Sequence, residues 1–338
     1  MTTAVTPATR PALADMISEI GGPAACLSLS KDPDAKVTLL LFQPGHDRPA
    51  YVAKLPTTDA ASRRVEREAA RLRDLERRDL GPVAATIPRL IAVAEHLGRP
   101  VLVTSALPGP TMLTTYHAWR HTARPAAVAA DFAAAGRWLS ALHHHTAGGA
   151  VDLASVLDGV GAAVARRFAR DAAISEITDR IAALHDRLVG QPIAGSVVHG
   201  DFWPGNLLVA AGRVCGVIDW EESRPHGPPV HDIARFAIAY SLYLDRHTRP
   251  GRAVPGHRGL RADRWGAGVE YAVDGSGWYP DMVRRFVAGS LERLGVPARC
   301  GRDILLAGLA AIAAEANHPG FAREHLQLFR RLSIPDPA

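Results

Sequence analysis

The chain has 338 residues, 47% of them hydrophobic and 22% charged, enough for two lobes around a cleft and too many for one simple core. No apolar run approaches the roughly 18 residues that cross a bilayer, and the first twenty residues lack a basic segment followed by an apolar stretch, which argues against a membrane span and a secretion signal and gives a cytoplasmic expectation. The net charge of +5 is almost wholly arginine, with lysine only at 31, 36 and 54, and without an aromatic and basic platform it makes no case for nucleic acid.

In chain order, a proline-opened helix is predicted over 11–20. Strand-like segments follow at Ala25–Ser30, Val37–Phe42 and Tyr51–Leu55, joined by KDPDA and QPGHDRP; these turn formers predict consecutive antiparallel strands. From Asp59 to Arg78 the period becomes helical, with Val65, Ala69, Leu72 and Leu75 on one stripe. Two more strands, Arg89–Glu95 and Pro100–Ser105, complete the order βββαββ and close a first lobe at 1–105. The LPGPTM run places a hinge at 106–112. Over 113–338 helices are predicted at 126–145, 154–170, 173–189, 229–244, 280–294, 302–317 and 320–332, interrupted by a β-rich patch at 195–219. There is no internal repeat. Cys26, Cys215 and Cys300 lie far apart and read as buried free thiols rather than as a disulfide or metal set.

The β-rich patch carries the chemistry. Val197–Val209 sets His199, Asp201 and Asn206 in a polar loop between apolar runs, at the ends of buried strands where a rigid scaffold presents reactive groups. After Asn206 the chain reads as a hairpin: Leu207–Val209, a turn at 210–213, then Val214–Ile218 ending in Asp219. The return strand brings Asp219 back beside Asn206, so two oxygen ligands suit a hard divalent cation such as Mg²⁺. In the first lobe Lys54 stands mid-strand among apolar residues, where an ammonium needs an anionic partner.

His199, Asp201 and Asn206 reproduce the H-x-D-x-x-x-x-N spacing of the kinase catalytic loop. The version with glycine after histidine, HGDFWPGN, followed by Ile218-Asp219-Trp220-Glu221, resembles the aminoglycoside phosphotransferase and choline kinase-like family. The resemblance implies an α+β, bilobal protein-kinase-like fold, with a small antiparallel-sheet N-terminal lobe and a larger, mostly helical C-terminal lobe. It implies a catalytic loop in which Asp201 takes or orients the proton of an acceptor hydroxyl and His199 braces the loop. Asn206 and Asp219 would hold Mg²⁺ on the phosphates of ATP or GTP. Lys54 would meet those phosphates, paired with Glu68 in the next helix or, second, with Glu66, and Ser30 and Ser105 join the nucleotide-binding set. The turn before the second strand, Leu29–Ala35, lacks the glycines usual at a phosphate loop. Asp232, in PHGPPVHDIA, matches the final Asp of a family segment and reads as a buried structural contact or helix cap, and Trp138–His143 matches the helix behind the catalytic loop.

The expected activity is therefore ATP-dependent phosphotransfer to an alcohol group of a small molecule: a sugar, nucleoside, aminoglycoside or other antibiotic-like acceptor. Residues 221–338 hold 13 acidic against 16 basic side chains, so the composition does not single out a polycationic acceptor. The stretch 246–264, with six arginines among glycines and prolines, reads as a loop, either a solvated excursion or a wall for the acceptor. A nucleotide-binding pseudokinase and a protein kinase are the competing readings. Against the second stands Asp-Trp-Glu where a protein kinase has Asp-Phe-Gly.

Overall fold

The computed structural model describes residues 10–29 and 34–334. The chain divides into two compact units. The first comprises the described residues up to Arg78 together with Ile87–Leu107 and Asp219–Glu221; the second comprises Asp79–Thr86, Pro108–Ile218 and the described residues from Glu222 onward.

In the first unit, α1 (Leu13–Ile20) precedes β1 (Ala24–Leu29), β2 (Lys36–Phe42), β3 (Pro49–Pro56), α2 (Asp59–Glu76), β4 (Leu90–His96) and β5 (Arg99–Ser105). The strands form one antiparallel sheet in the order β1-β2-β3-β5-β4. One face buries Leu41, Ala53, Val101 and Val103 with Leu13 of α1. Successive side chains of β3 alternate faces, so Lys54 opposes its buried neighbour Ala53. Helix α2 starts where Thr58 accepts a hydrogen bond from Ala61 N–H at 3.1 Å, a side-chain cap for an otherwise orphaned donor. Its apolar stripe of Ala61, Val65, Ala69 and Leu72 is buried, and Glu68, three residues after Val65, falls on the same stripe.

The second unit contains α3 (Met112–Tyr116), α4 (Pro125–Thr146), β6 (Ala150–Asp152), α5 (Val160–Arg167), α6 (Ile174–Leu188), β7 (Pro192–Ala194), β8 (Ser196–Val198), β9 (Leu207–Ala210), β10 (Arg213–Val217), β11 (Arg224–Gly227), α7 (Val230–Leu242), α8 (Ala267–Asp274), α9 (Trp278–Arg293), α10 (Gly301–Glu315) and α11 (Pro319–Leu332). Its strands pair only in twos: β6 with β7, β8 with β11 and β9 with β10. The core is helical. Helices α7 and α10 are buried nearly all round, and an aromatic cluster of Phe132, Phe236, Tyr240, Tyr279 and Phe286 packs mostly edge to face. No helix among the described residues is long and apolar enough to cross a membrane.

Three expectations need correction. The helix expected at 154–170 is a 3₁₀ turn over Leu153–Leu157 followed by α5; Gly159 between them adopts φ +70°, a left-handed conformation that stops a right-handed helix. Helix α8 went unpredicted because its eight residues are buried on most sides and carry no amphipathic period. Of the cysteines expected to be buried only Cys300 is; Cys26 is exposed and Cys215 half-buried. The arginine-rich stretch is a loop, and it is anchored: Val254, His257 and Leu260 are buried, His257 Nε2 donates to the Thr122 carbonyl at 2.8 Å, and Trp278 Nε1 donates to Gly256 O at 2.8 Å.

Candidate active site

In the second unit, β8 ends at Val198 and delivers His199, Gly200 and Asp201 in sequence. Two backbone N–H groups, those of His199 and Gly200, donate to the two oxygens of Asp232 at 2.7 and 2.9 Å. Asp232 lies in the first turn of α7 and is fully buried. Burial alone would push its carboxyl up, but the adjacent His231, His199 and the donated N–H outweigh that and hold it below the usual range. Such a carboxylate is an internal strut, since buried charge is tolerated where hydrogen bonds satisfy it.

Gly200 permits the turn. Its φ is +86°, and a Cβ there would stand 2.3 Å from the Glu222 carbonyl oxygen, so both backbone conformation and space require glycine. His199 is buried and works as a second strut. Its Nδ1 accepts the Asp201 N–H at 3.2 Å, which fixes the proton on Nε2, and Nε2 donates to the Ile218 carbonyl at 3.0 Å. Phe202 points inward and stacks on Trp138 of α4, with ring centroids 5.2 Å apart.

Asp201 is partly exposed and held from two sides. Asn206 Nδ2 donates to its Oδ2 at 3.0 Å and to its carbonyl at 2.9 Å. Arg235 donates from Nε at 3.0 Å and from a terminal nitrogen at 2.6 Å to Oδ1. With its amide nitrogen committed, Asn206 keeps Oδ1 as its remaining ligand atom. The hairpin begins directly after it: Val217 opposes Leu207 across β9 and β10, and Ile218 N–H donates to the Asn206 carbonyl at 3.0 Å.

In the first unit the charged groups form one cluster. Lys54 Nζ donates to both oxygens of Glu68 at 2.7 and 2.8 Å and to Asp219 Oδ1 at 2.5 Å. Burial pulls the Lys54 ammonium down, but the Asp219 and Glu68 carboxylates overcome it and raise the pKa above the usual lysine range. Glu68 Oε1 also accepts the Trp220 N–H at 3.3 Å. Lys36 of β2 donates to Glu221 and lies 3.8 Å from Asp219 Oδ1, and Arg64 approaches Glu221 at 3.7 Å. Burial, with Asp219 adding to it, pushes the Glu221 carboxyl up despite Lys36. Asp219 adopts φ +69°, a conformation aspartate tolerates better than most residues. Oxygens of Glu68, Asp219 and Glu221 lie within 4.8 Å of one another, but Lys54 and Lys36 already supply the positive charge among them; of the three, the more exposed Asp219 carboxylate is the one whose chemistry suits a hard cation such as Mg²⁺.

Lys54, Glu68 and Asp219 thus meet in one unit, and His199, Asp201 and Asn206 in the other. Glu66 pairs instead with Arg10 at 2.8 Å, so Glu68 is the partner of Lys54. The Ser105 hydroxyl accepts the Arg89 N–H at 2.9 Å, and Ser30 lies outside the described residues. Arg235 and Lys36 were missed. The available signal for Arg235 was its spacing three residues after Asp232, which puts both on one face of α7.

Comparison with known proteins fits this geometry. The family model APH, described as the phosphotransferase enzyme family, matches residues 40–269. No curated protein matches. Among solved structures, the apo form of a thermostable mutant of aminoglycoside phosphotransferase APH(4)-Ia superposes with a TM-score of 0.57 at 15% identity, covering 94% of this chain and 97% of that one. A ternary complex of a mutant of the same enzyme with AMP-PNP and hygromycin B gives 0.56 at 14% identity over 94% and 96%. The streptomycin–ATP–APH(2")-IIa ternary complex gives 0.51 at 15% identity over 94% of each chain. At such identities the likeness shows the fold, which is the α+β, protein-kinase-like one expected from the sequence. With well over half of its length matched by the family model, the chain belongs to the phosphotransferase enzyme family.

Proposed function

We propose that the protein is a small-molecule kinase that transfers the γ-phosphoryl group of a nucleoside triphosphate, ATP or GTP, to a hydroxyl group of a small acceptor. The observation that carries this reading is the Asp201 carboxylate, partly exposed, oriented by Arg235 and Asn206, on a loop braced by Asp232 and His199. A carboxylate held in this way accepts the proton of an alcohol as its oxygen attacks phosphorus and the bond to the β-phosphate oxygen breaks. ADP leaves with the electron pair of that bond.

In this reading the first unit binds the nucleotide. Lys54 exchanges its contact with Asp219 for the α- and β-phosphates while Glu68 keeps it in place. Asn206 through Oδ1 and Asp219 through its carboxylate would hold Mg²⁺, which neutralises phosphate charge. Ser105, whose hydroxyl proton is not used by the Arg89 contact, borders the nucleotide. The second unit supplies the catalytic loop and the acceptor contacts. ATP and AMP-PNP occupy two of the similar structures, with streptomycin and hygromycin B as their companions, which supports a nucleotide donor and a hydroxylated small molecule as acceptor. Use of ATP also fits the cytoplasmic setting read from the sequence.

The test is Mg²⁺-dependent ATP consumption against sugars, aminoglycosides, nucleosides and amino alcohols, with Asp201→Ala as control. Turnover with at least one class, lost in the variant by about 10²–10⁴-fold and lost on chelation, is the expected result. Nucleotide binding without turnover across the whole panel, or an Asp201→Ala protein of undiminished activity, would overturn it.

A further inference from the structure

Next to the catalytic loop the second unit presents a strip of aromatic and basic groups that phosphotransfer itself does not use. Trp203, two residues after Asp201, has its ring 6.5 Å from that of Tyr243. The Arg246 guanidinium lies over the Tyr243 ring at 5.7 Å. An Arg246 terminal nitrogen is 3.2 Å from His117 Nε2, and His117 Nδ1 is 3.1 Å from His247 Nε2. Helix α3, which ends next to His117, is itself tied to the loop by the hydrogen bond from Leu113 N–H to the Pro204 carbonyl at 3.0 Å. The strip therefore begins on the catalytic loop and runs outward to exposed Arg246 and His247.

The hydrogen-bond polarity of this strip is fixed. Arginine can only donate, so His117 Nε2 must accept and its proton must sit on Nδ1. His117 Nδ1 then donates to His247 Nε2, which leaves His247 with its proton on Nδ1. Burial, together with Arg246 and His247, holds the His117 imidazole below its usual pKa and so neutral. What the strip offers a ligand is a set of donors: the unused N–H groups of Arg246 and the Nδ1–H of His247. Arg246 forms no ion pair among the described residues, unlike Arg264 nearby, which pairs with Glu270. The flanking acid, Asp245, is half-buried, and burial pushes its carboxyl up, with Asp263 adding to it; it pairs with no cation among the described residues.

An unpaired guanidinium stacked on tyrosine, with donors around it, is a site for oxygen anions, which arginine binds through its planar fork. It is the wrong polarity for ammonium groups, which are also donors only. We propose that the acceptor is a hydroxylated small molecule bearing a carboxylate or phosphate, anchored by Arg246 and His247 with its apolar face against Tyr243 and Trp203, and not a polycation. This deepens the kinase reading and rests on it for the word acceptor, but the site itself is testable without turnover.

The test is direct binding by calorimetry or ligand-observed NMR, with glucose 6-phosphate, glucuronate, glucose and streptomycin as probes on the intact protein. At least one of the two anions should bind about tenfold or more tightly than glucose, and streptomycin no more tightly than glucose. The phosphate and carboxylate arms tell which anion is preferred. Arg246→Ala, at an exposed position, should bring the anions to within about twofold of glucose, and Arg246→Lys should keep part of the preference. Tightest binding by streptomycin, equal binding of anions and glucose, absence of anion binding through the millimolar range, or an anion preference intact in Arg246→Ala would each overturn the proposal. Asp201→Asn should abolish turnover yet preserve the anion preference, so the kinase reading and the anion site fail separately.

Discussion

Arg235 places two N–H donors on one oxygen of Asp201, at 3.0 and 2.6 Å, while Asn206 takes the other oxygen at 3.0 Å. The carboxylate is thereby fixed in rotation as well as in position. Replacing Arg235 by alanine should lower kcat by about 10–10²-fold, the loss that follows from misplacing a reacting group, with little change in nucleotide affinity. Lysine at 235 should recover only part, because a single ammonium cannot reproduce the fork. Steady-state kinetics alongside nucleotide titration separates the two quantities, and an equal fall in nucleotide affinity would reassign Arg235 to a general structural role.

Lys54 holds Glu68, which is only 1% exposed. Lys54→Met leaves a buried carboxylate without its cation and should destabilise the protein by about 3 kcal/mol in urea unfolding, while weakening ATP binding. Adding Glu68→Gln removes the stranded charge. The double variant should regain much of the stability and none of the nucleotide affinity, a split that a purely structural lysine would not produce.

Gly200→Ala tests the turn that presents Asp201. The positive φ and the 2.3 Å approach to the Glu222 carbonyl cannot both be relieved without moving the loop away from Asp232. A loss of about 1–3 kcal/mol in thermal or urea unfolding is expected, with activity falling further than stability alone explains.

His257 anchors the arginine-rich loop through the Thr122 carbonyl, and burial lowers its pKa to about 4. In the unfolded or detached loop it would titrate near 6.5, so the detached state takes up the proton first. The stabilisation is complete above about pH 6.5 and is lost progressively as pH falls towards 4. Protection factors at residues 250–262, the exchange rates corrected for the intrinsic slowing of amide exchange towards acid, should fall over that window, and His257→Gln should remove most of that pH dependence. Protection factors that stay flat from pH 7 to 4 in the parent protein would contradict the anchoring role.

The parts legible in the sequence were those set by local period and spacing. Lys54 and Glu68 could be read because a strand and an amphipathic helix have different periods, and Glu68 shares the stripe of Val65 and Leu72. The loop from His199 to Asn206 was legible because its spacing is rigid and its flanks are apolar. Gly159 was passed over because the apolar positions continue across it at helical intervals, so only its φ reveals the break. Arg235 was one arginine among many until Asp232 oriented its helix towards the loop. His117 and His247 meet across 130 residues of chain, and no local pattern announces such a pair.

The scarcity of lysine has a practical consequence. Of the three lysines in the sequence, two direct their ammonium groups at the same carboxylate, Asp219. An amine-acylating reagent, which attacks only the neutral amine, therefore has few lysines to find here, and Lys54, kept charged by Glu68 and Asp219, should resist it until that pairing is disturbed. The extent of labelling on the two peptides that carry Lys36 and Lys54, followed by mass spectrometry as nucleotide is added, would report occupancy of the nucleotide unit before any acceptor has been identified.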